Sequence, residues 1–89
     1  MKHVSRTTRF KKDIKRMKKR GKSFDVFKRV VQDLASGRSL DAKLKDHKLF
    51  GDYIGTRECH LEPDWLLIYE NHEEEIRLIR TGTHADLFE

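Results

Sequence analysis

With a single cysteine, Cys59, in 89 residues, no internal disulfide is possible, which excludes a disulfide-stapled scaffold and points to a reducing compartment. No apolar run approaches the roughly 18–20 residues that a membrane span needs. The segment after Met1-Lys2-His3-Val4-Ser5-Arg6 is charged where a signal peptide would be apolar. A cytoplasmic protein with no membrane partner is therefore expected. A membrane-surface helix also pairs Lys/Arg with apolar residues, but the apolar stripe here is too narrow to favour one. Repeats, low-complexity stretches and linkers are absent as well, so residues 1–89 read as one domain with a modest core and marginal stability.

Acidic residues are scarce where basic ones crowd. The chain is 36% hydrophobic and 39% charged with a net charge of +5, and the total hides a gradient. Residues 1–30 carry 13 Lys/Arg against 2 Asp/Glu, residues 31–57 carry 5 against 4, and residues 58–89 carry 2 against 9. A basic N-terminal third is the electrostatic footprint of a polyanion binder, and nucleic acid is favoured over a lysine-rich face that is merely solvated.

The apolar residues are periodic, which marks a folded chain. Residues 1–6 suggest a short strand. From Thr8 to Arg20, Phe10, Ile14 and Met17 fall at helical spacing, with Lys11, Lys12, Lys15, Lys18 and Lys19 on the other faces. Gly21 is a stop signal. Ser23 is positioned to cap a second helix with the stripe Phe27, Val30, Val31 and Leu34, ended by Gly37. The short connection predicts an antiparallel helical hairpin. Residues 53–60, 65–69 and 76–80 read as strands, with turns at 62–64 and 70–74, and Thr83 as the cap of a terminal turn through Phe88. The expected fold is α+β, an N-terminal helical hairpin packed on a small antiparallel sheet.

Five histidines are candidates for chemistry. His3 and His72, at the chain's start and in a polar hairpin, receive no role. His47, His60 and His84 sit at element ends beside turns, from which they can converge on one rim of the sheet. RNA carries its own nucleophile, the 2′-hydroxyl beside the scissile phosphate. Cleavage needs a base for that proton, an acid for the leaving 5′-oxygen, and cations for the developing charge. Histidine, with a pKa near ~6.5, serves as either acid or base. Arg80, with Arg57 as the weaker candidate, is the expected phosphate-contacting cation. Asp64 reads either as a carboxylate that orients a histidine or as a turn residue after Pro63. Trp65 heads an apolar strand and reads as core, whereas Phe88 suits stacking on a base. Tyr53 and Tyr69 read as core or sheet-surface residues. No metal or other cofactor is expected: there is no Cys-x-x-Cys, no histidine pair at helical i, i+4 spacing, and Cys59 and His60 point to opposite faces of a strand.

Three segments together are more specific: Lys45-Asp46-His47-x-Leu49-x-Gly51, Arg57-x-Cys59-His60-x-x-Pro63-Asp64-Trp65-Leu66-Leu67-Ile68-Tyr69, and Arg80-Thr81-Gly82-Thr83-His84-x-x-Leu87-Phe88. They resemble, over about half of the chain and with matching gaps, the YafQ-like branch of the RelE/ParE type II toxin superfamily. The resemblance implies a RelE-like fold and a metal-independent endoribonuclease that cleaves mRNA in the ribosomal A site by 2′-hydroxyl attack. It implies ribosome and mRNA as targets and a small cognate antitoxin as partner. By position, the family's active-site set falls on His47, His60, Asp64, Trp65, His84 and Phe88, which moves Trp65 from core to substrate contact. His84 is then the foremost acid or base, His60 with Asp64 its partner pair, and His47 a second base or phosphate ligand. The lysines of the first helix, Lys11, Lys12, Lys15, Lys18 and Lys19, would meet rRNA phosphates. Wider superfamily members that inhibit gyrase without cutting RNA supply the alternative, a toxin acting by binding alone.

Overall fold

The computed structural model describes residues 1–88. The first strand, β1 (His3–Arg6), leads directly into helix α1 (Thr8–Lys19). Thr7 caps α1: its Oγ1 accepts the Phe10 N–H at 3.0 Å and donates to the Ile79 carbonyl at 2.7 Å, so one hydroxyl both starts the helix and ties it to the sheet. The helix ends where expected. Gly21, at φ 76°, lets the Gly21 and Lys22 N–H groups turn back onto the Lys18 and Met17 carbonyls. Helix α2 (Asp25–Ala35) closes in the same way, with Gly37 bonded to Leu34 and Arg38 to Asp33. Its start differs from the expectation. Phe24, not Ser23, holds the cap position, and Ser23 Oγ accepts only a long 3.4 Å bond from Asp25. The Phe24 ring packs edge-on against Phe27 and Trp65, at 5.8 and 5.3 Å between centroids, so apolar packing outweighs side-chain capping at this end.

The remaining strands are β2 (His47–Lys48), β3 (Arg57–Glu62), β4 (Trp65–Asn71) and β5 (Glu75–Gly82), followed by the short helix α3 (His84–Phe88). Strands β3, β4 and β5 form the expected antiparallel meander, and β2 adds antiparallel to β3. The spatial order is β1-β5-β4-β3-β2. Strand β1 lies parallel to β5, pairing Val4 with Ile76 and Arg6 with Leu78, so the completed sheet is mixed. The strand expected over 53–60 begins four residues later. Tyr53 to Thr56 is a turn, closed by the Thr56 N–H and Oγ1 on the Tyr53 carbonyl at 3.1 and 2.6 Å.

The helices cover one face of the sheet. Phe10, Met17, Val30 and Leu34 meet Leu61, Trp65, Leu67, Tyr69, Ile76 and Leu78 there. On the other face a smaller cluster joins Leu66, Ile68 and Leu87, flanked by Leu49, Tyr53 and Ile79. The unbroken apolar run 65–69 is explained by this arrangement: β4 is central and buried on both sides. No helix among the described residues is long and apolar enough to cross a membrane.

A buried ion pair joins the two layers. Asp13 of α1 and Arg80 of β5 expose only 2% and 8% of their side chains. Arg80 Nε and Nη2 donate to the Asp13 carboxylate at 2.7 and 3.1 Å, and the Thr81 N–H adds a third bond at 3.2 Å. A second electrostatic link runs from α1 to α3. Arg20 donates to both oxygens of Asp86 at 2.6 and 3.1 Å, with Arg16 Nη1 at 3.5 Å. Asp86 and Thr83 cap α3 reciprocally, each accepting the other's N–H, at 2.9 and 3.2 Å. Gly82 makes room for this, since a Cβ there would lie 2.9 Å from Asp86 Cβ.

These links set the expected response to mutation and to acid. Asp13→Ala leaves the Arg80 guanidinium buried and uncompensated, so we expect a loss of about 3–5 kcal/mol, visible as a fall in Tm of about 10 °C or more. The Arg20 guanidinium, helped by the Thr83 N–H, holds the Asp86 carboxyl well below the usual carboxylate range. Because that pKa is depressed in the folded state, its stabilisation is full above the unfolded value of about 3.9 and is lost as pH falls towards the folded one. The native chain should therefore lose more Tm than Asp86→Asn between about pH 7 and about pH 3; equal losses would remove Asp86 from the acid response.

Candidate active site

Strand alternation and register place the histidines. His60 lies two residues after Glu58 on β3, so both project from the same face. Glu58 pairs across the ladder with Ile68 on one side and His47 on the other, and His60 pairs with Leu66. This is the face opposite the helices. His84 reaches the same place from the start of α3, held under β5 by Leu87 in the smaller cluster. The three rings form a row, with His47 and His60 centroids 6.3 Å apart and His60 and His84 centroids 5.9 Å apart. His47 and His84 are about half exposed, whereas His60 between them is mostly covered.

Each end of the row is anchored by an acceptor. Asp64, on the turn between β3 and β4, receives both the His84 backbone N–H at 2.9 Å and His84 Nδ1 at 2.6 Å on the same oxygen. These bonds, the backbone one foremost, hold the Asp64 carboxyl below its ordinary pKa. An ionised carboxylate only accepts, so Nδ1 carries the hydrogen and, in the neutral ring, Nε2 is the acceptor. At the other end, His47 Nδ1 lies 2.7 Å from the Lys45 carbonyl, which again makes Nδ1 the donor. Lys45 adopts a left-handed backbone, φ 53°. The expected pairing of His60 with Asp64 is not what forms; Asp64 turns to His84 instead, because α3 brings that ring and its N–H onto one oxygen. The partner of His60 is Glu58, whose Oε1 stands 3.5 Å from His60 Nε2 and 3.4 Å from His47 Nε2. Sequence reading missed Glu58. The i, i+2 spacing of Glu58 and His60 within one strand is the signal that could have found it.

Two further expectations change. Trp65 is fully buried, its Nε1–H donating to Thr81 Oγ1 at 2.8 Å and its ring packed on Phe24. This burial fits the core reading from the residues, and the ring has no exposed surface to offer a substrate. Arg80 is not a free phosphate-contacting cation, since two of its nitrogens are committed to Asp13. The bond to Asp13 raises its pKa above the arginine value. Arg57 is likewise engaged, bonded to Asp46, which also accepts the Tyr69 hydroxyl at 2.6 Å.

Phe88 is 47% exposed and rests edge-on against Tyr53 at 5.7 Å, giving an aromatic ledge beside the histidine row. The lysines at 11, 12, 15, 18 and 19 are all exposed on α1. His3 lies on β1, at the edge of the sheet away from β2, and His72 pairs with Glu70. Burial pushes the Cys59 thiol up to about 12, so a thiolate nucleophile or ligand is not available there. Among the described residues no group of three or more His, Cys, Asp or Glu side chains has a geometry suited to a metal ion.

Comparison with known proteins bears on this geometry. Residues 2–89 match the family model described as "Bacterial toxin of type II toxin-antitoxin system, YafQ". The mRNA interferase toxin YafQ of Escherichia coli K12 is 42% identical over 80 residues, covering 89% of this chain and 87% of that protein. The toxin in the crystal structure of the E. coli DinJ–YafQ complex superposes with a TM-score of 0.92 at 38% identity, covering both chains fully. A metal-bound toxin from Helicobacter pylori gives 0.91 at 39%, covering 99% of this chain and 100% of that one. By the extent of the match, the shared fold and the level of identity, the chain belongs to the YafQ family of bacterial toxins of type II toxin–antitoxin systems.

Proposed function

We propose that this toxin is an mRNA interferase that cuts mRNA in the ribosomal A site, with the histidine row performing the proton transfers. One observation carries the reading: three imidazoles about 6 Å apart on an open face, with His84 half exposed and its Nδ1 held by Asp64 at 2.6 Å. His84 and His60 are the acid–base pair. One takes the proton from the 2′-hydroxyl as that oxygen attacks phosphorus. The other gives a proton to the 5′-oxygen as its bond to phosphorus breaks. The products are a 2′,3′-cyclic phosphate and a 5′-hydroxyl. Asp64 positions His84, and its negative charge favours the imidazolium as that ring takes up a proton. His47 meets the phosphate or serves as second base. Phe88, with Tyr53 behind it, gives the unstacked base a plane to rest on.

The α1 lysines suit the ribosome as the site of action. Each phosphate they neutralise would steepen the salt dependence of binding by about 0.7–0.9 log units per log unit of salt. We propose a cytoplasmic toxin neutralised by a cognate antitoxin, as DinJ accompanies the E. coli relative in its complex. A toxin acting on its target by binding alone has no use for three converged imidazoles. The proton transfers are assigned wholly to side chains, so we also propose that cleavage needs no metal bound to the toxin.

The test is cleavage of a programmed mRNA on purified ribosomes, with 5′ ends mapped. We expect His84→Ala to slow cleavage by about 10²–10⁴-fold. Asp64→Asn, which removes the negative charge holding Nδ1, should slow it by about tenfold or more with Tm little changed. Full-rate cleavage by His84→Ala would sink the assignment. Toxin stripped with EDTA and dialysed before meeting the ribosomes should keep its rate; a loss restored by one added transition metal would overturn metal independence.

A further inference from the structure

Strand β2, which carries His47, is two residues long and lies at the edge of the sheet. Its ladder joins His47 to Glu58 and Lys48 to Arg57, and so short a ladder does not fix an edge strand by itself. His47 nevertheless has a defined place, with its ring 6.3 Å from that of His60 and Nδ1 2.7 Å from the Lys45 carbonyl. The residue between the two, Asp46, supplies the missing restraint.

Asp46 is tied to two inner strands at once. It accepts Arg57 Nε at 3.2 and 3.3 Å, Arg57 Nη2 at 3.2 Å and the Tyr69 hydroxyl at 2.6 Å. Arg57 and Tyr69 are themselves partners across the β3–β4 ladder, so both donors reach Asp46 from adjacent strands. Tyr69 is fully buried, and this burial, with the Asp46 bond next, pushes its hydroxyl far above the usual tyrosine pKa, so it remains a donor. Asp46, Arg57 and Tyr69 all line a groove on the helix side of the sheet, and His47 does not. Neighbours 46 and 47 thus project to opposite faces, as strand alternation requires. Lys45, at φ 53°, holds a left-handed backbone that a residue with a Cβ adopts only under constraint. Its carbonyl is the acceptor of the His47 ring.

We propose that Tyr69, Asp46 and Arg57 form the positioning device of His47. Anchored on one face of the sheet, Asp46 fixes the Lys45 carbonyl, and that carbonyl holds the His47 ring on the other face with its hydrogen on Nδ1. None of the three touches the reacting atoms; they are positioning residues, and their part in cleavage rests on the place given to His47 above. Tyr69 is the informative member. Without its hydroxyl, Asp46 keeps only Arg57, whose side chain is 32% exposed and whose hold is weakened by water.

The test reads the histidine tautomers by NMR in the free toxin with ¹⁵N-labelled imidazoles, at about pH 8.5, where an ordinary histidine is neutral. In the native chain His47 should carry its hydrogen on Nδ1. Tyr69→Phe, which keeps the ring in the core, should leave His47 a mixture of both tautomers while His84, held by Asp64, keeps its own. Thr81→Val removes another buried hydroxyl, the one that bonds Trp65 and Leu66, and should leave His47 as in the native chain. If Tyr69→Phe does not fold, Asp46→Ala, which takes nothing from the core, is read in its place with the same expectation. On ribosomes, Tyr69→Phe should slow cleavage by about 10–10²-fold. In a His47→Ala background it should slow cleavage no further, because two residues that act through one ring are not additive. An unchanged His47 tautomer, the same change in Thr81→Val, or rate losses that add in the double variant would overturn the proposal. Native-rate cleavage by His47→Ala would count instead against the part of His47 in the reaction; the tautomer, read without ribosomes, still decides the positioning.

Discussion

The Asp13–Arg80 pair is the constraint on which the rest depends. It is the one place among the described residues where a charge on the helical layer and a charge on the sheet are both withdrawn from water. Such a pair offers little net stability over a good apolar contact, but it is intolerant of misplacement, because either partner alone is a buried charge without compensation. It therefore specifies where along β5 the helix α1 lies. From α1 the order passes to α3, through Arg16 and Arg20 on Asp86, and from α3 to His84. The position of one ring in the row is thus set by a chain of charge contacts that begins on the far side of the sheet.

The two faces of the sheet divide the labour. The helix face holds most of the apolar burial and the aromatic contacts among Phe10, Phe24, Phe27 and Trp65. The opposite face carries a small cluster sufficient to seat α3 and leaves His60 and His47 within reach of solvent, with Glu58 tucked between them. Central β4 serves both, which is why its five residues from Trp65 to Tyr69 are all buried. The same division explains the fate of the cations. Arg80 and Arg57 are committed to carboxylates, whereas the lysines of α1 remain exposed. Lysine keeps its ammonium in water along a flexible stem, and arginine's planar fork suits a fixed carboxylate.

Much of the fold was legible because its signals are local. The α1 stripe, the glycine stops at 21 and 37, the meander and the Thr83 cap each depend on residues within a few positions of one another. The parallel seating of β1 against β5 was not, since the pairing of Val4 with Ile76 leaves no mark within either segment. The late start of β3 escaped for a related reason: the turn through Gly55 and Thr56 separates apolar residues that, read alone, continue a strand. At the candidate site the three histidines and Asp64 were singled out by their places beside turns and Phe88 as an aromatic suited to stacking, and the motif spacing moved Trp65 from core to substrate. Glu58 was missed, and Arg80 and Trp65, expected at the substrate, are buried and bonded to Asp13 and Thr81.

By itself, the sequence determined the element types, the polarity of the charge gradient, the family and the set of imidazoles, because periodicity, capping and motif spacing are written in neighbouring residues. Only the tertiary structure decided which carboxylate meets which ring. Asp64 is four residues from His60 and twenty from His84, yet it bonds to His84. The reason is geometric: the turn after β3 and the start of α3 are brought together by the pairing of β3, β4 and β5, and a carboxylate goes to the donors that converge on it rather than to the nearest in the chain.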